Sequence, residues 1–423
     1  MITTARPILP RTVQPLGAAV VPLLAVVVFI NYVDRGNLAT AAPLMRQELG
    51  LSNTQIGLLL SAFFWSYTPS QLLAGWLAER INAYRTLAIG LATWGLATAA
   101  SGLANGFAAL IALRLLLGIG ESAAFPCSSK LLAQHLPAHR LGAANGLIGM
   151  GLALGPAFGT YSGGLLMAQV GWRAVFVVFG LASLLWLWPW LAATRRASAR
   201  ANELASVRAP GFLEILRRRD AWGAALGHFS SNYTFYFVIS WMPLYLVDAR
   251  GFSVAGMAEL GGLIYVAYAG STMLSGYLTD RWMRAGGGAT LVRKTAAVTC
   301  HGVVAASMVG CALGDALVSM ISLFVAAVGF GLNAAGIFAI AQTIAGPRAA
   351  GKWMGFQNCI GNLAGIVAPL VTGLIVDRTG GFFWAFLSAG AISLAGILAW
   401  GVVIRRVAPA PWSSEAPPRE QIT

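Results

Sequence analysis

The chain has 423 residues, of which 57% are hydrophobic and only 10% charged, with a mean hydropathy of +0.72. A water-soluble domain carries about 25% charged residues, so this composition excludes a soluble globular protein and implies a surface that mostly faces lipid. The net charge of +14 sits in short basic clusters between apolar runs, a pattern that sets membrane topology and argues against a nucleic-acid-binding face.

The first eighteen residues are polar and contain proline. The apolar run that follows spans fully and lacks a cleavage site, so it is read as a retained first helix. Crossing a core of roughly 30 Å takes about twenty apolar residues. On that count the chain has twelve spanning helices. They centre near Val28, Ser66, Thr93, Gly118, Gly155 and Leu184, then near Ser240, Val266, Val303, Phe330, Ile366 and Leu394. The expected fold is an all-α membrane protein of two pseudo-symmetric six-helix bundles, 1–193 and 221–404. They are joined by a cytoplasmic linker, 194–220, and followed by a cytoplasmic tail, 405–423.

The first helix contains Asn31-Tyr32-Val33-Asp34-Arg35-Gly36. An acid or a base at the centre of a spanning helix costs roughly 2.5–3.5 kcal/mol, so Asp34 and Arg35 are expected to face an internal cavity. The fourth helix brings Arg114 and Glu121, seven residues apart. They share a helix face but stand about 10 Å apart along the axis, which leaves each free for another helix or a ligand. Most other acids fall in loops, linker, tails or helix ends, so these four charges form the polar centre of the N-terminal half. Arginine stays charged and grips a carboxylate with two parallel hydrogen bonds, while an acid in an apolar site can carry a proton. The alternative is that the four serve only as fixed ion pairs between helices.

The linker holds Arg195, Arg196, Arg200, Arg208 and the run Arg217 to Arg219, and it reads as a solvated basic segment. Within it Phe212, Leu213, Ile215 and Leu216 suggest a short amphipathic helix on the membrane surface. With both termini in the cytoplasm, all but six of the 28 Lys and Arg lie inside. Arg46, Arg173, Arg250 and Arg378 are outside, and Arg35 and Arg114 are within helices. That excess orients the chain. The four cysteines, Cys127, Cys300, Cys311 and Cys359, show neither metal spacing nor a disulfide framework and are assigned to packing.

The halves echo each other. Gly75-Trp-Leu-Ala-Glu79-Arg80 follows the second helix, with Arg85 beyond it, and Gly276-Tyr-Leu-Thr-Asp280-Arg281 follows the eighth. A glycine, a leucine, an acid and an arginine at matching places indicate a parallel repeat, with substrate near the midplane between rocking halves. This signature in a chain of six plus six helices resembles the major facilitator superfamily. Asn31 to Gly36, together with the fourth-helix run from Arg114 to Pro126, resembles its anion:cation symporters, over nearly the whole chain.

That resemblance implies uptake of an organic anion with protons. It makes Glu121 and Asp34 the proton-coupling acids and Arg35 and Arg114 the substrate-carboxylate contacts. Tyr32 and Tyr67 match tyrosines that line the site in sugar-acid carriers. Asn232 and Tyr236 on the seventh helix, Asn333 on the tenth, and Gln357, Asn358 and Asn362 on the eleventh are expected to complete the pocket. Glu79, Arg80, Arg85, Asp280 and Arg281 are expected to form gating contacts through salt bridges and helix ends. His228 and His301 are read as packing residues. Two departures bear on substrate: Leu152 stands where galactonate-type carriers have glutamine, and Ser231 where vesicular carriers have arginine. Both favour a smaller or more apolar monocarboxylate, such as an aromatic one. The expected partners are a small organic anion, protons and the lipid bilayer of the inner membrane, for a monomer with no nucleic acid and no cofactor.

Helix five, with Gly142, Gly151, Gly155-Pro156, Gly159 and Gly163, also resembles the glycine-proline motif of drug:proton antiporters. Two cavity arginines disfavour the cationic cargo such antiporters expel, so efflux ranks second. A phosphate-ester exchanger lacks its expected seventh-helix arginine. No metal spacing, nucleotide loop or Ser/His/Asp set supports an enzyme, and the tail is too short for a receptor's signalling domain.

Overall fold

The computed structural model describes residues 19–51, 53–204, 209–252 and 254–412. The N-terminal eighteen residues, Arg208 and the tail beyond Trp412 lie outside the described residues. Twelve spanning helices run in the expected order. In the first half they are α1 (Val20–Leu49), α2 (Asn53–Leu77, continued by a π turn Ala78–Asn82), α3 (Ala83–Ser101), α4 (Phe107–His135), α5 (141–170) and α6 (172–204). In the second they are α7 (219–249), α8 (Val254–Arg284), α9 (Ala289–Leu313), α10 (316–345), α11 (347–379) and α12 (Phe383–Val403). Six stretches are apolar and long enough to cross a membrane on their own. Two of these, of 62 and 64 residues, turn back at Gly171 and Gly346, whose φ of 79° and 64° suits glycine alone.

The linker departs from expectation in its first half. α6 runs on as helix to Leu204, because Thr194 is buried and the Asn82 amide donates to the Ser198 carbonyl at 2.9 Å, tying the extension to the start of α3. The surface helix Phe212–Leu216 forms, with Ile215 buried beneath it. The tail as far as Trp412 lies across the same end of the molecule, called here the linker face. Its indole donates to the Ala345 carbonyl at 3.0 Å.

Glycines set the helix contacts. A Cβ added at Gly151, Gly155 or Gly159 of α5 would come within 2.5–2.8 Å of the α1 backbone or of Tyr32. The four-residue spacing makes a smooth groove in which α1 lies. The glycine-proline pattern of helix five is therefore explained by close packing, and it gives drug efflux no structural support.

The two halves meet tightly at the linker face. A Cβ at Gly75 would lie 2.5 Å from the Gly351 carbonyl oxygen, and one at Gly276 would lie 2.4 Å from that of Gly142. The repeated glycine thus lets α2 cross α11, and α8 cross α5, backbone on backbone. The acids of the repeat secure those crossings. Glu79 accepts from the Gly351 N–H at 2.8 Å and pairs with Lys130, whose ammonium also reaches the Pro347 carbonyl. Asp280 accepts from Gly142 N–H at 3.0 Å and Ala143 N–H at 2.6 Å, and pairs with Arg293 at 2.7 Å. Each carboxylate sits at the N-terminal end of a helix of the other half, where unpaired N–H groups and the helix dipole favour negative charge.

The gating arginines differ from expectation. Arg80, Arg85 and Arg281 are exposed, with Arg80 stacked over Trp76, and the ion pairs go to Lys130 and Arg293 instead. On the opposite face, Glu48 accepts from Arg173 at 2.7 Å and from the Trp172 indole at 2.6 Å. The Arg173 hydrogen bond above all, with that of Trp172, holds the Glu48 carboxyl below its ordinary range.

Candidate functional site

The four-charge centre forms where α1, α3 and α4 converge. Gly118 meets the Phe63 carbonyl of α2, and Gly120 that of Gly90 on α3, both at under 3 Å to a notional Cβ. These glycines sink α4 between its neighbours and carry Glu121 to full burial. Arg35 reaches across from α1, its Nε donating to Glu121 Oε2 at 3.0 Å. Asp34, one residue and 100° away on the same helix, turns towards α3 and accepts from the Thr98 hydroxyl at 3.4 Å. Arg114 is buried about two turns before Glu121, with its guanidinium 5.5 Å from the Phe63 ring.

Aromatic rings and buried polar atoms surround the Arg35–Glu121 pair. The Arg35 guanidinium is enclosed by three rings, Tyr32, Phe63 and Tyr67, at 4.4, 4.6 and 4.7 Å. Each ring stabilises the cation by about 0.5–2 kcal/mol. Arg35 Nη2, Arg114 Nε, Glu121 Oε1 and both amide atoms of Asn31 are buried without a close hydrogen bond, although Asn31 stands near Glu121, and Tyr67 and Tyr236 stand near Arg35.

Tyr32 and Tyr67 stand between this centre and an open cavity lined by both halves. The Arg35 side chain keeps 14% of its surface accessible while Glu121 keeps none, and none of the four charges is in the cavity lining itself. Phe125, Gly149 and Leu152 complete the N-terminal wall. The opposite wall belongs largely to α7, where His228, Ser231, Asn232, Phe235 and Tyr236 form one helical stripe.

Of the expected contacts, Tyr32, Tyr67, Asn232, Tyr236, Asn358 and Asn362 line the cavity. Tyr236 donates to Asn362 Oδ1 at 3.2 Å, and Asn232 donates to the Gly361 carbonyl at 3.1 Å. Gln357 and Asn333 lie behind the wall instead. Gln357 is held by Trp353 and the Ile337 carbonyl, and Asn333 is fully buried. Leu152 and Ser231, the two departures, are both in the wall.

His228, which the sequence assigns to packing, lines the cavity, as do Phe235, Tyr268, Phe330 and Phe338, which the sequence assigns no role. The signal for the first two was the spacing 228, 231, 232, 235, 236 on α7. His301 sits behind the wall, between Ser231 at 3.2 Å and Ser393 at 3.1 Å.

Two related helical bundles around a central cavity, joined at one face by contacts that must break for the other state to form, define a membrane carrier of the alternating-access class. The Major Facilitator Superfamily pattern matches residues 24–369. The chain is 31% identical over 397 residues to a probable sulfoacetate transporter of Cupriavidus necator, covering 89% of this chain and 91% of that one. It is also 31% identical to the hexuronate transporter of Bacillus subtilis, covering 90% and 92%, and 28% identical to the D-galactonate transporter of Escherichia coli, covering 90% and 94%. The proton:xylose symporter XylE superposes with a TM-score of 0.75 at 15% identity, over 93% of this chain and 97% of that one. The chain belongs to the major facilitator superfamily, and with such relatives it is a multi-pass membrane transporter of organic anions.

Proposed function

We propose that the protein takes up an organic carboxylate together with one or more protons. The observation that carries this reading is the buried Arg35–Glu121 pair at 3.0 Å behind the tyrosine boundary. Ionised Glu121 competes with an incoming carboxylate for Arg35. Protonated Glu121 gives the arginine up. Anion binding and protonation therefore favour each other, which is the thermodynamic content of symport. Asp34, held by Thr98 near the same centre, serves as the second acid, and Arg114 supplies field or a second contact once Arg35 has moved.

Binding occurs from the face opposite the linker. Release requires the acid-to-helix contacts of Glu79 and Asp280 to open as 1–193 and 221–404 rock about the cavity. We place the linker face, both termini and the tail in the cytoplasm of a cell whose inner membrane holds the protein as a monomer. Net inward movement of positive charge then gains roughly 2.3 kcal/mol per charge per 100 mV.

Purified protein in proteoliposomes, given a panel of labelled carboxylates with and without an imposed proton gradient, tests the reading. Gradient-driven accumulation of at least one anion is expected. Failure of every anion, with gradient-driven export of a lipophilic cation, would refute it.

A further inference from the structure

The C-terminal wall carries a hydrogen-bond donor whose direction is set by a chain of three side chains. The Trp353 indole can only donate, and it faces Gln357 Oε1 at 3.2 Å. The Gln357 amide nitrogen therefore points the other way. It donates to the Ile337 carbonyl, an obligate acceptor, at 3.3 Å and faces His228 Nδ1 at 3.5 Å. Met by an N–H, Nδ1 must be the lone-pair nitrogen, so a neutral imidazole carries its proton on Nε2.

His228 is buried, lines the cavity, and has no partner for Nε2 among the described residues. Its seat is built for the ring. A Cβ at Gly361 would stand 2.9 Å from both Cγ and Nδ1, and Phe338 packs edge-on at 5.9 Å. Phe338 itself stacks on Phe125 of the other half at 5.1 Å and 7°.

Along α7, His228 and Tyr236 are eight residues apart, about 12 Å along the axis. Tyr236 stands beside the Arg35 guanidinium. An anion held at the arginine end thus reaches His228 only if its body is elongated, and the walls it passes are aromatic or aliphatic, with Leu152 and Phe235 among them.

We propose that the cavity selects elongated, flat or apolar monocarboxylates bearing a hydrogen-bond acceptor at the end remote from the carboxylate, and that His228 Nε2–H reads that acceptor. This rests on the organic-anion reading above and makes His228 a specificity-determining residue.

The test compares 4-methoxybenzoate with 4-ethylbenzoate, which have equal numbers of heavy atoms but differ in the acceptor, as ligands of the purified full-length protein. The wild type is expected to favour the methoxy compound by roughly three- to tenfold, the value of one net hydrogen bond. His228→Phe should erase that ratio, whatever it does to the absolute affinity for either ligand. Gln357→Met, which frees the tautomer without touching the cavity wall, should reduce the ratio in part.

A ratio that persists in both variants, or a His228→Phe that weakens both ligands equally, overturns the inference. So does a wild type that binds hexonates or uronates but neither benzoate, and that result leaves the organic-anion reading standing. A wild type that binds no anion overturns both.

Discussion

Replacing Glu121 by glutamine tests the coupling at its centre. The substitution keeps the shape and removes the charge that Arg35 meets at 3.0 Å. Breaking a buried ion pair from one side costs about 3–5 kcal/mol. An ionised Glu121 can therefore lower anion affinity by at most roughly 10²–10⁴-fold. The anion makes its own pair with Arg35, and the three surrounding rings stay in place, so the realised penalty lies below that ceiling. With one proton linked to one anion, wild-type affinity should weaken by roughly tenfold per pH unit once Glu121 ionises. In Glu121→Gln the affinity should stay near the wild-type acid value at every pH. Binding by calorimetry between pH 5.5 and 8.5 reads the slope. Counterflow and downhill uptake in proteoliposomes separate exchange from accumulation, and the variant should retain the first and lose the second. A variant that keeps the wild-type pH slope, or still concentrates substrate against a gradient, would remove Glu121 from the coupling step.

The linker-face contacts make their own predictions. Asp280→Asn strands Arg293, which is 1% exposed, and removes a charged acceptor from two backbone N–H groups. The closed arrangement should lose about 3–5 kcal/mol, seen as increased labelling of a single cysteine placed in the cavity by a reagent applied from the linker side; unchanged labelling would contradict the role. Gly276→Ala forces a Cβ to 2.4 Å from the Gly142 carbonyl, so the crossing must separate. Transport should fall by at least about tenfold in a protein that still purifies as a monodisperse species, the cost of overpacking being some 1–3 kcal/mol; wild-type turnover would show that the close contact is dispensable. Glu48 offers a pH control. Its carboxyl is held low in the folded state by Arg173, so its contribution is complete above the unfolded value of about 4.3 and fades only as pH falls through the lower folded value. Glu48→Gln should shift the melting temperature equally at pH 5.5 and 8 and leave the pH profile of uptake unaltered; a changed profile would place the acid response outside the central site.

Much of this arrangement was readable from residue order, and what was missed has one geometric cause. Twelve apolar runs, two copies of a glycine-acid signature and four charges at bilayer depth locate the halves, the crossings and the polar centre, because burial cost and helix length leave few alternatives. Partner choice was harder to read. Neighbouring residues on a helix point about 100° apart, so Asp34 and Arg35 could not both face α4. One had to turn to α3, where Thr98 meets Asp34. The same step explains the linker face. Glu79 and Asp280 point inward at helices of the other half, which swings Arg80 and Arg281 out to solvent and leaves the ion pairs to Lys130 and Arg293, two bases that look like ordinary loop charges in the sequence.

From sequence His228 is read as a packing residue, because a histidine among apolar residues with no readable partner more often packs than binds. What distinguishes it is the Trp353–Gln357 relay, a contact between α7 and α11 that no periodicity within either helix reveals. That relay also ties recognition to motion. Gln357 and Trp353 lie on α11, on the same helix as Gly351, which Glu79 grips at the linker face. A substrate acceptor that engages His228 therefore bears on the helix whose crossing with α2 must open before the anion can leave.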